Sequence, residues 1–161
     1  MTPKLSIASS RPDASDIWVC RARNPFMLAL VEQTGLVGVR LHCWPPEARS
    51  QTTEIKLAKC INRMADFYFD EVEELGGGID SFDYVFDDAM TVPRWLVADN
   101  SASEWTGIIH TQSPRFIATV DDDGITVSQW IDDPSIDAPT MAKIISETGD
   151  WYAEFTQNEL D

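Results

Sequence analysis

Acidic side chains form the largest chemically capable groups in this sequence of 161 residues. Asp66, Asp70 and Glu74 are spaced four residues apart, which places them on one face of a predicted helix. Like charges at this spacing weaken a helix slightly. Tertiary packing alone can override that cost. However, sequence features that are locally unfavourable tend to occur at functional sites, so these acids are also candidates for binding a basic partner. The residues predicted to bind such a partner are Asp66, Asp70, Glu73, Glu74, Asp87, Asp88, Asp121, Asp122, Asp123, Glu147, Asp150 and Glu154.

The charges are distributed unevenly along the chain, whose formal net charge is −15. Residues 1–65 hold nine Lys/Arg against five Asp/Glu, whereas residues 66–161 hold three against 22. A surface this acidic repels nucleic acid and attracts basic proteins at low salt. We therefore expect no direct nucleic-acid binding, although seven basic residues of the first third could form a modest patch. Solubility alone, or adaptation to a salty cytoplasm, are the competing explanations; the second predicts acid throughout, which the basic first third contradicts.

Histidine and cysteine offer little for nucleophilic catalysis. His42 and Cys43 are neighbours on a predicted strand, where adjacent side chains point to opposite faces. The other histidine, His110, and His42 are not followed two positions later by a hydroxyl residue, as a two-histidine phosphoesterase requires. Cys20, Cys43 and Cys60 lack metal-type spacing and are interpreted as reduced core residues of a cytoplasmic protein. No catalytic residue is predicted.

Metal, phosphate and nuclease motifs are also weak. Residues 121–124 (DDDG) lack the alternating ligand spacing of a calcium loop and read better as a hairpin turn. Asp83, Asp87 and Asp88 could join them around magnesium only if the fold brought the two groups together. The Glu54-Ile55-Lys56 fragment opens a helix rather than lying on a nuclease strand, and glycines 76–78 follow a helix rather than precede one. We predict no metal and no cofactor.

Aromatic residues are numerous, with six Trp, seven Phe and three Tyr. Most fall on faces predicted to be buried, so core packing explains them best. An aromatic pocket that also contains carboxylates could alternatively hold a cationic or sugar-like ligand.

Hydrophobic periodicity predicts helices over residues 53–78 and 138–158. A short, very apolar helix is predicted over residues 26–33, because Asn24-Pro25 supplies a cap and a first helical proline and Gly35 ends it. The central one has apolar residues at helical spacing from Leu57 to Leu75, a cap at Thr53 and three glycines at its end. The last one carries Glu147, Asp150 and Glu154 on its outer face. Alternation or apolar runs predict strands over residues 36–44, 81–87, 104–111, 115–120 and 125–131, and residues 17–22 and 94–98 are further candidates for short strands.

This order of elements predicts an α+β fold, because strands following strands disfavour a parallel βαβ sheet. We expect an antiparallel sheet of about five to six strands, packed by a long central helix, a C-terminal helix and a short N-terminal helix. Residues 1–15 are expected to be a flexible arm, and residues 16–161 a single domain. No apolar run is long enough for a transmembrane helix, and the N-terminus lacks the apolar core of a signal peptide.

These observations lead to one main hypothesis and one alternative. The main hypothesis is a non-catalytic acidic interaction protein that binds and blocks a basic, nucleic-acid-handling protein such as a nuclease. Inhibitors, immunity proteins, antitoxins and nucleic-acid mimics work in this way. The alternative is a small α+β enzyme or ligand-binding domain with an aromatic and carboxylate-lined pocket.

Overall fold

The computed structural model describes residues 2–13, 16–34, 36–44, 53–71, 83–87, 91–132 and 137–160. These residues form nine strands, with both parallel and antiparallel neighbours, and two helices, so the predicted α+β class is confirmed. The predicted five to six strands and three helices are wrong in number. The strands are β1 Leu5–Ser9, β2 Ile17–Arg21, β3 Phe26–Thr34, β4 Leu36–Trp44, β5 Asp83–Phe86, β6 Trp95–Asn100, β7 Trp105–His110, β8 Phe116–Asp121 and β9 Gly124–Trp130, and the helices are α1 Glu54–Glu71 and α2 Ala138–Leu160.

The chain divides into two compact units, which differ from the sequence-based division into an arm and a domain. The N-terminal unit comprises Pro3–Ile7 and Ile17–Thr91. The C-terminal unit comprises Met1–Thr2, Ala8–Asp16 and Val92–Asp161. Strand β1 lies within the stretch that was expected to be a flexible arm, and its Ser6 and Ala8 are buried.

The core of the N-terminal unit lies between α1 and one face of its sheet. Strands β2, β3 and β4 pair antiparallel, and their register places Val19, Ala29 and Leu41 side by side on one face. Leu57, Ile61, Met64 and Tyr68 of α1 are buried against that face, which confirms the predicted apolar stripe. The start of the helix is capped as expected, because Thr53 Oγ1 accepts a hydrogen bond from Lys56 N at 3.2 Å.

Two sequence predictions for this unit are wrong. Residues 26–33 were expected to form a helix, but they belong to β3, which pairs with both β2 and β4. An apolar run of this length has no decisive period, and here Met27, Leu28, Ala29 and Val31 are buried, which places buried residues on both faces of the strand. The sheet was also expected to be antiparallel throughout, yet β5 pairs parallel to β4 after the α1 crossover. The predicted extension of the helix beyond residue 71 lies outside the described residues.

The C-terminal unit contains an antiparallel meander of β6, β7, β8 and β9, as predicted. The β8–β9 turn has the expected hairpin geometry, with Asp121 opposite Gly124 and a φ of 121° at Gly124. Helix α2 packs on the meander through Thr148, which is fully buried and accepts a hydrogen bond from Trp95 Nε1 at 3.1 Å. The predicted C-terminal helix is therefore confirmed, and it brings its acidic residues into this unit.

Candidate functional site

The acidic residues predicted to bind a partner are divided between the two units. In the C-terminal unit, Asp121, Asp122 and Asp123 are all exposed in the β8–β9 turn. The Asp121 carboxylate accepts a hydrogen bond from Asp123 N at 2.9 Å, so it fixes the turn while the other two carboxylates face solvent.

The three predicted acids of α2 have different environments. Asp150 and Glu154 are exposed and lie one helical turn apart. Glu147 instead forms an ion pair with Arg94, with 2.9 Å between Oε2 and Nη1, and each side chain is about one-third exposed. It therefore has a structural partner within the unit.

In the N-terminal unit, Asp66 and Asp70 are exposed on α1. Asp87 is half-buried directly after β5, and its backbone N–H donates to the Leu41 carbonyl at 2.9 Å. Lys56, Lys59 and Arg63 are exposed on the same helix as Asp66 and Asp70, so this surface has a mixed charge. The remaining predicted residues, Glu73, Glu74 and Asp88, lie outside the described part of the chain.

The two structural units differ less in charge than the two segments on either side of residue 66, which carry +4 and −19. The C-terminal unit holds 15 Asp/Glu against four Lys/Arg, a formal charge of −11, whereas the N-terminal unit holds 12 against eight, or −4. Two of the four cations of the C-terminal unit are already in ion pairs, Arg94 with Glu147 and Arg115 with Asp132. The other two, Arg11 and Lys143, are exposed. Among the described residues of this unit, the exposed carboxylates Asp122, Asp123, Asp150 and Glu154 therefore outnumber these two exposed cations.

His110 belongs to a structural network that the sequence did not reveal. Its side chain is 1% exposed. Nε2 accepts a hydrogen bond from Arg94 Nε at 3.1 Å, so Nδ1 carries the proton and donates to the Pro114 carbonyl at 2.8 Å. Burial is the main reason that the pKa of His110 lies below its ordinary value; nearby Arg94 and Arg115 lower it further, while Pro114 and Glu147 oppose the shift. With its ring buried and both nitrogens hydrogen-bonded, His110 is part of the packed core of this unit.

The cysteines described here agree with the core interpretation. Cys20 and Cys60 are both buried and reduced. Burial raises the pKa of the Cys20 thiol to about 12, partly offset by a hydrogen bond from Ser6. A thiol with such a pKa stays protonated and is a poor nucleophile. The side chain of Cys43 lies outside the described part of the structure.

The C-terminal unit also contains a cavity of about 400 Å³ between the 10–13 loop and α2. We refer to it as the Trp151 pocket. Trp151 and Phe155 form its aromatic wall, and Glu154 and Asp13 supply carboxylates. Ser10, Arg11 and Pro12 complete the lining. The sequence could have indicated one side of this pocket, because Trp151, Glu154 and Phe155 are spaced to share one face of a helix. Nothing in the sequence indicated that the 10–13 loop, more than 130 residues earlier, forms the other side.

The described residues were also considered as metal ligands and as membrane-spanning segments, and the chain was compared with known proteins. Within the described ranges, no three His, Cys, Asp or Glu side chains are grouped as metal ligands. Neither described helix is long and apolar enough to cross a membrane. Comparisons with protein-family models, curated proteins and solved structures found no match.

Proposed function

We propose that this protein is a non-catalytic acidic interaction protein that binds and blocks a basic, nucleic-acid-handling protein. The observation that carries this proposal is the charge of −11 on the C-terminal unit, with Arg94 and Arg115 held in ion pairs inside it. A field of this sign attracts a basic protein over about 10 Å at moderate salt and repels nucleic acid. The partner is therefore a protein whose own ligand is an anion.

The exposed carboxylates of this unit are arranged on rigid elements, which supports recognition rather than simple solubility. Asp122 and Asp123 lie in a hairpin turn braced by Asp121. Asp150 and Glu154 are one turn apart on a 23-residue helix, which spaces them by about 6 Å along the helix axis. Fixed carboxylates at such intervals can occupy cationic positions that otherwise hold phosphates.

The exposed surface of helix α1 in the N-terminal unit is expected to contribute less to partner binding. Asp66 and Asp70 are exposed, but Lys56, Lys59 and Arg63 on the same helix reduce the net field. We therefore expect the carboxylates of the C-terminal unit to contribute more to partner binding than those of α1.

The proposal is tested by charge reversal combined with salt titration. The partner is captured from a lysate of the source cells with the tagged protein at about 50 mM salt, identified, and purified for calorimetry. Asp122→Lys and Asp150→Lys are combined in one variant, which leaves Asp121 and its turn hydrogen bond intact. The matched variant carries Asp66→Lys and Asp70→Lys, and circular dichroism checks that both remain folded.

We expect a partner with a basic surface, an affinity that falls steeply as salt rises, and a larger loss in the C-terminal variant than in the α1 variant. An affinity insensitive to both salt and the C-terminal substitutions would contradict the proposal.

A further inference from the structure

We propose that the Trp151 pocket accepts an arginine side chain of the basic partner. This inference rests on the proposed function and adds a specific anchoring contact to it. The pocket combines an aromatic wall with carboxylates in the unit that carries a charge of −11. A guanidinium matches both features, because it is planar, stacks on aromatic faces and binds a carboxylate through two N–H groups.

The aromatic wall is held in place before any ligand arrives. Trp151 stacks on Trp95 with 5.7 Å between ring centroids and 24° between planes, and it contacts Phe155 at 5.4 Å. Trp95 is itself fixed, because its Nε1 donates to the buried Thr148 hydroxyl. A preorganised ring loses little conformational entropy when a side chain stacks on it.

The same unit already contains one guanidinium stacked on an indole. The Arg94 guanidinium lies 4.1 Å from the centroid of the Trp95 ring, and its charge is balanced by Glu147. The Trp151 pocket repeats these ingredients on the neighbouring indole, with Glu154 in the place of Glu147. An arginine bound there would make the contacts that Arg94 makes inside the unit.

The opposite wall is also positioned by hydrogen bonds. The Asp16 carboxylate accepts from Ser10 N, at 3.1 Å to Oδ1 and 3.2 Å to Oδ2. Ser9 Oγ donates to the Arg11 carbonyl at 2.6 Å and accepts from Arg11 N at 3.1 Å. These bonds fix the start of the 10–13 loop, which carries Asp13 into the lining.

The charges facing the pocket favour a cation. Asp13 and Glu154 line it, and Asp150 lies one turn before Glu154 on α2. Arg11 is the opposing charge in the lining; it is exposed, so its charge is well screened by water. Lys143 lies two turns before Asp150 on the same helix, which places it outside the lining. The carboxylates therefore outnumber the cation, and the field of the unit adds to the difference.

The test titrates the whole protein with Nα-acetyl-L-arginine methylamide, using the uncharged citrulline analogue as the matched ligand. Binding is followed by the indole N–H resonance of Trp151 and by tryptophan fluorescence. We expect saturable binding in the millimolar range for the arginine compound and at least about tenfold weaker binding for the citrulline compound.

Two variants locate the contact. Glu154→Gln changes an exposed residue and should weaken arginine binding about three- to fivefold. Asp122→Asn removes the same charge in the β8–β9 turn and should leave it unchanged. Trp151→Leu should abolish binding; if that variant fails to fold, the Glu154 comparison still decides.

Equal binding of the two compounds, equal weakening by Glu154→Gln and Asp122→Asn, or absence of saturable binding would overturn the inference. These results do not involve the natural partner. A pocket that fails this test would leave the charge-reversal experiment above unaffected, and failure of that experiment would leave the arginine titration unaffected.

Discussion

Arg94 lies with Nη1 2.9 Å from the Glu147 carboxylate and with its guanidinium over the Trp95 ring. This pair joins the residue directly before β6 to α2, so one cation and one anion of the C-terminal unit contribute to its packing.

The Arg94–Glu147 pair should make a small but measurable contribution to stability. We expect Glu147→Gln to lower the free energy of unfolding by about 0.5–1 kcal/mol, because both side chains are about one-third exposed. The control is Glu154→Gln on the same helix, which should change it by less than about 0.5 kcal/mol. Urea denaturation measures both, and equal effects would contradict a specific role for the pair.

The environment of His110 predicts a loss of stability in mild acid. Burial lowers its pKa below the ordinary value of 6.5, so the unfolded chain binds the proton more readily than the folded chain. Its contribution is therefore complete above about pH 6.5 and declines as the pH falls through that value toward the folded pKa. His110→Gln should remove this part of the pH dependence.

Two measurements check the His110 prediction. An NMR titration of the His110 ring should give a pKa below 6.5. The difference in unfolding free energy between wild type and His110→Gln should shrink as the pH falls below 6.5, which separates His110 from the carboxylates. A ring that titrates at or above 6.5 would rule the prediction out.

Arg21 should be replaceable by an apolar residue of similar length. Its side chain is 6% exposed, and its Nε and Nη1 have no hydrogen-bond partner among the described residues. Its register partner on β3 is Met27, a core residue. Because two buried N–H groups without acceptors are costly, we expect Arg21→Met to stabilise the protein by about 1–3 kcal/mol.

Arg40→Met provides the control for Arg21, because Arg40 is an exposed cation on β4. Thermal unfolding should show a higher transition temperature for Arg21→Met and little change for Arg40→Met. Clear destabilisation by Arg21→Met alone would mean that the buried guanidinium has a compensating partner, such as a bound water.

Gly107 and Gly149 should respond in opposite ways to alanine. A Cβ at Gly107 would collide with the Trp105 ring and the Ala118 carbonyl oxygen, so we expect a loss of about 1–3 kcal/mol. Gly149 lies inside α2 with open space around it, and alanine there should add about 0.5–1 kcal/mol through higher helix propensity. Chemical denaturation of the two variants checks both signs, and destabilisation by Gly149→Ala would contradict the packing of α2.

Local signals in the sequence were sufficient for several elements. The apolar spacing from Leu57 to Tyr68 predicted α1, and the DDDG sequence predicted the β8–β9 hairpin, because both depend on residues close along the chain. Residues 26–33 failed for a physical reason: a short run that is apolar on both faces fits a buried helix or a central strand equally well. Only the pairing with β2 and β4 selects the strand.

Contacts between distant residues were not predictable from the sequence. Arg94 and Glu147 are separated by 53 positions, and an Arg or a Glu in a sequence does not indicate which opposite charge it will pair with. The Trp151 pocket lies between the 10–13 loop and α2. Its aromatic side could be predicted because those residues are close together on one helix, whereas the loop on the other side could not. The charge asymmetry was visible as a division at residue 66, but only the fold shows that nine of the 22 acids after that point belong to the N-terminal unit and 13 to the C-terminal unit.

The parallel pairing of β4 with β5 also bears on the order in which the chain folds. Leu41 pairs with Phe86, 45 positions later, whereas β6 to β9 are joined by short turns. Closing the longer loop costs more chain entropy, so the meander should gain protected amides first in pulse-labelled hydrogen exchange. During synthesis the N-terminal unit leaves the ribosome first, but it cannot complete its sheet until β5 has been made. The edge of β4 that pairs with β5 is thus uncovered for the time taken to synthesise α1 and β5, a period in which a chaperone could bind it.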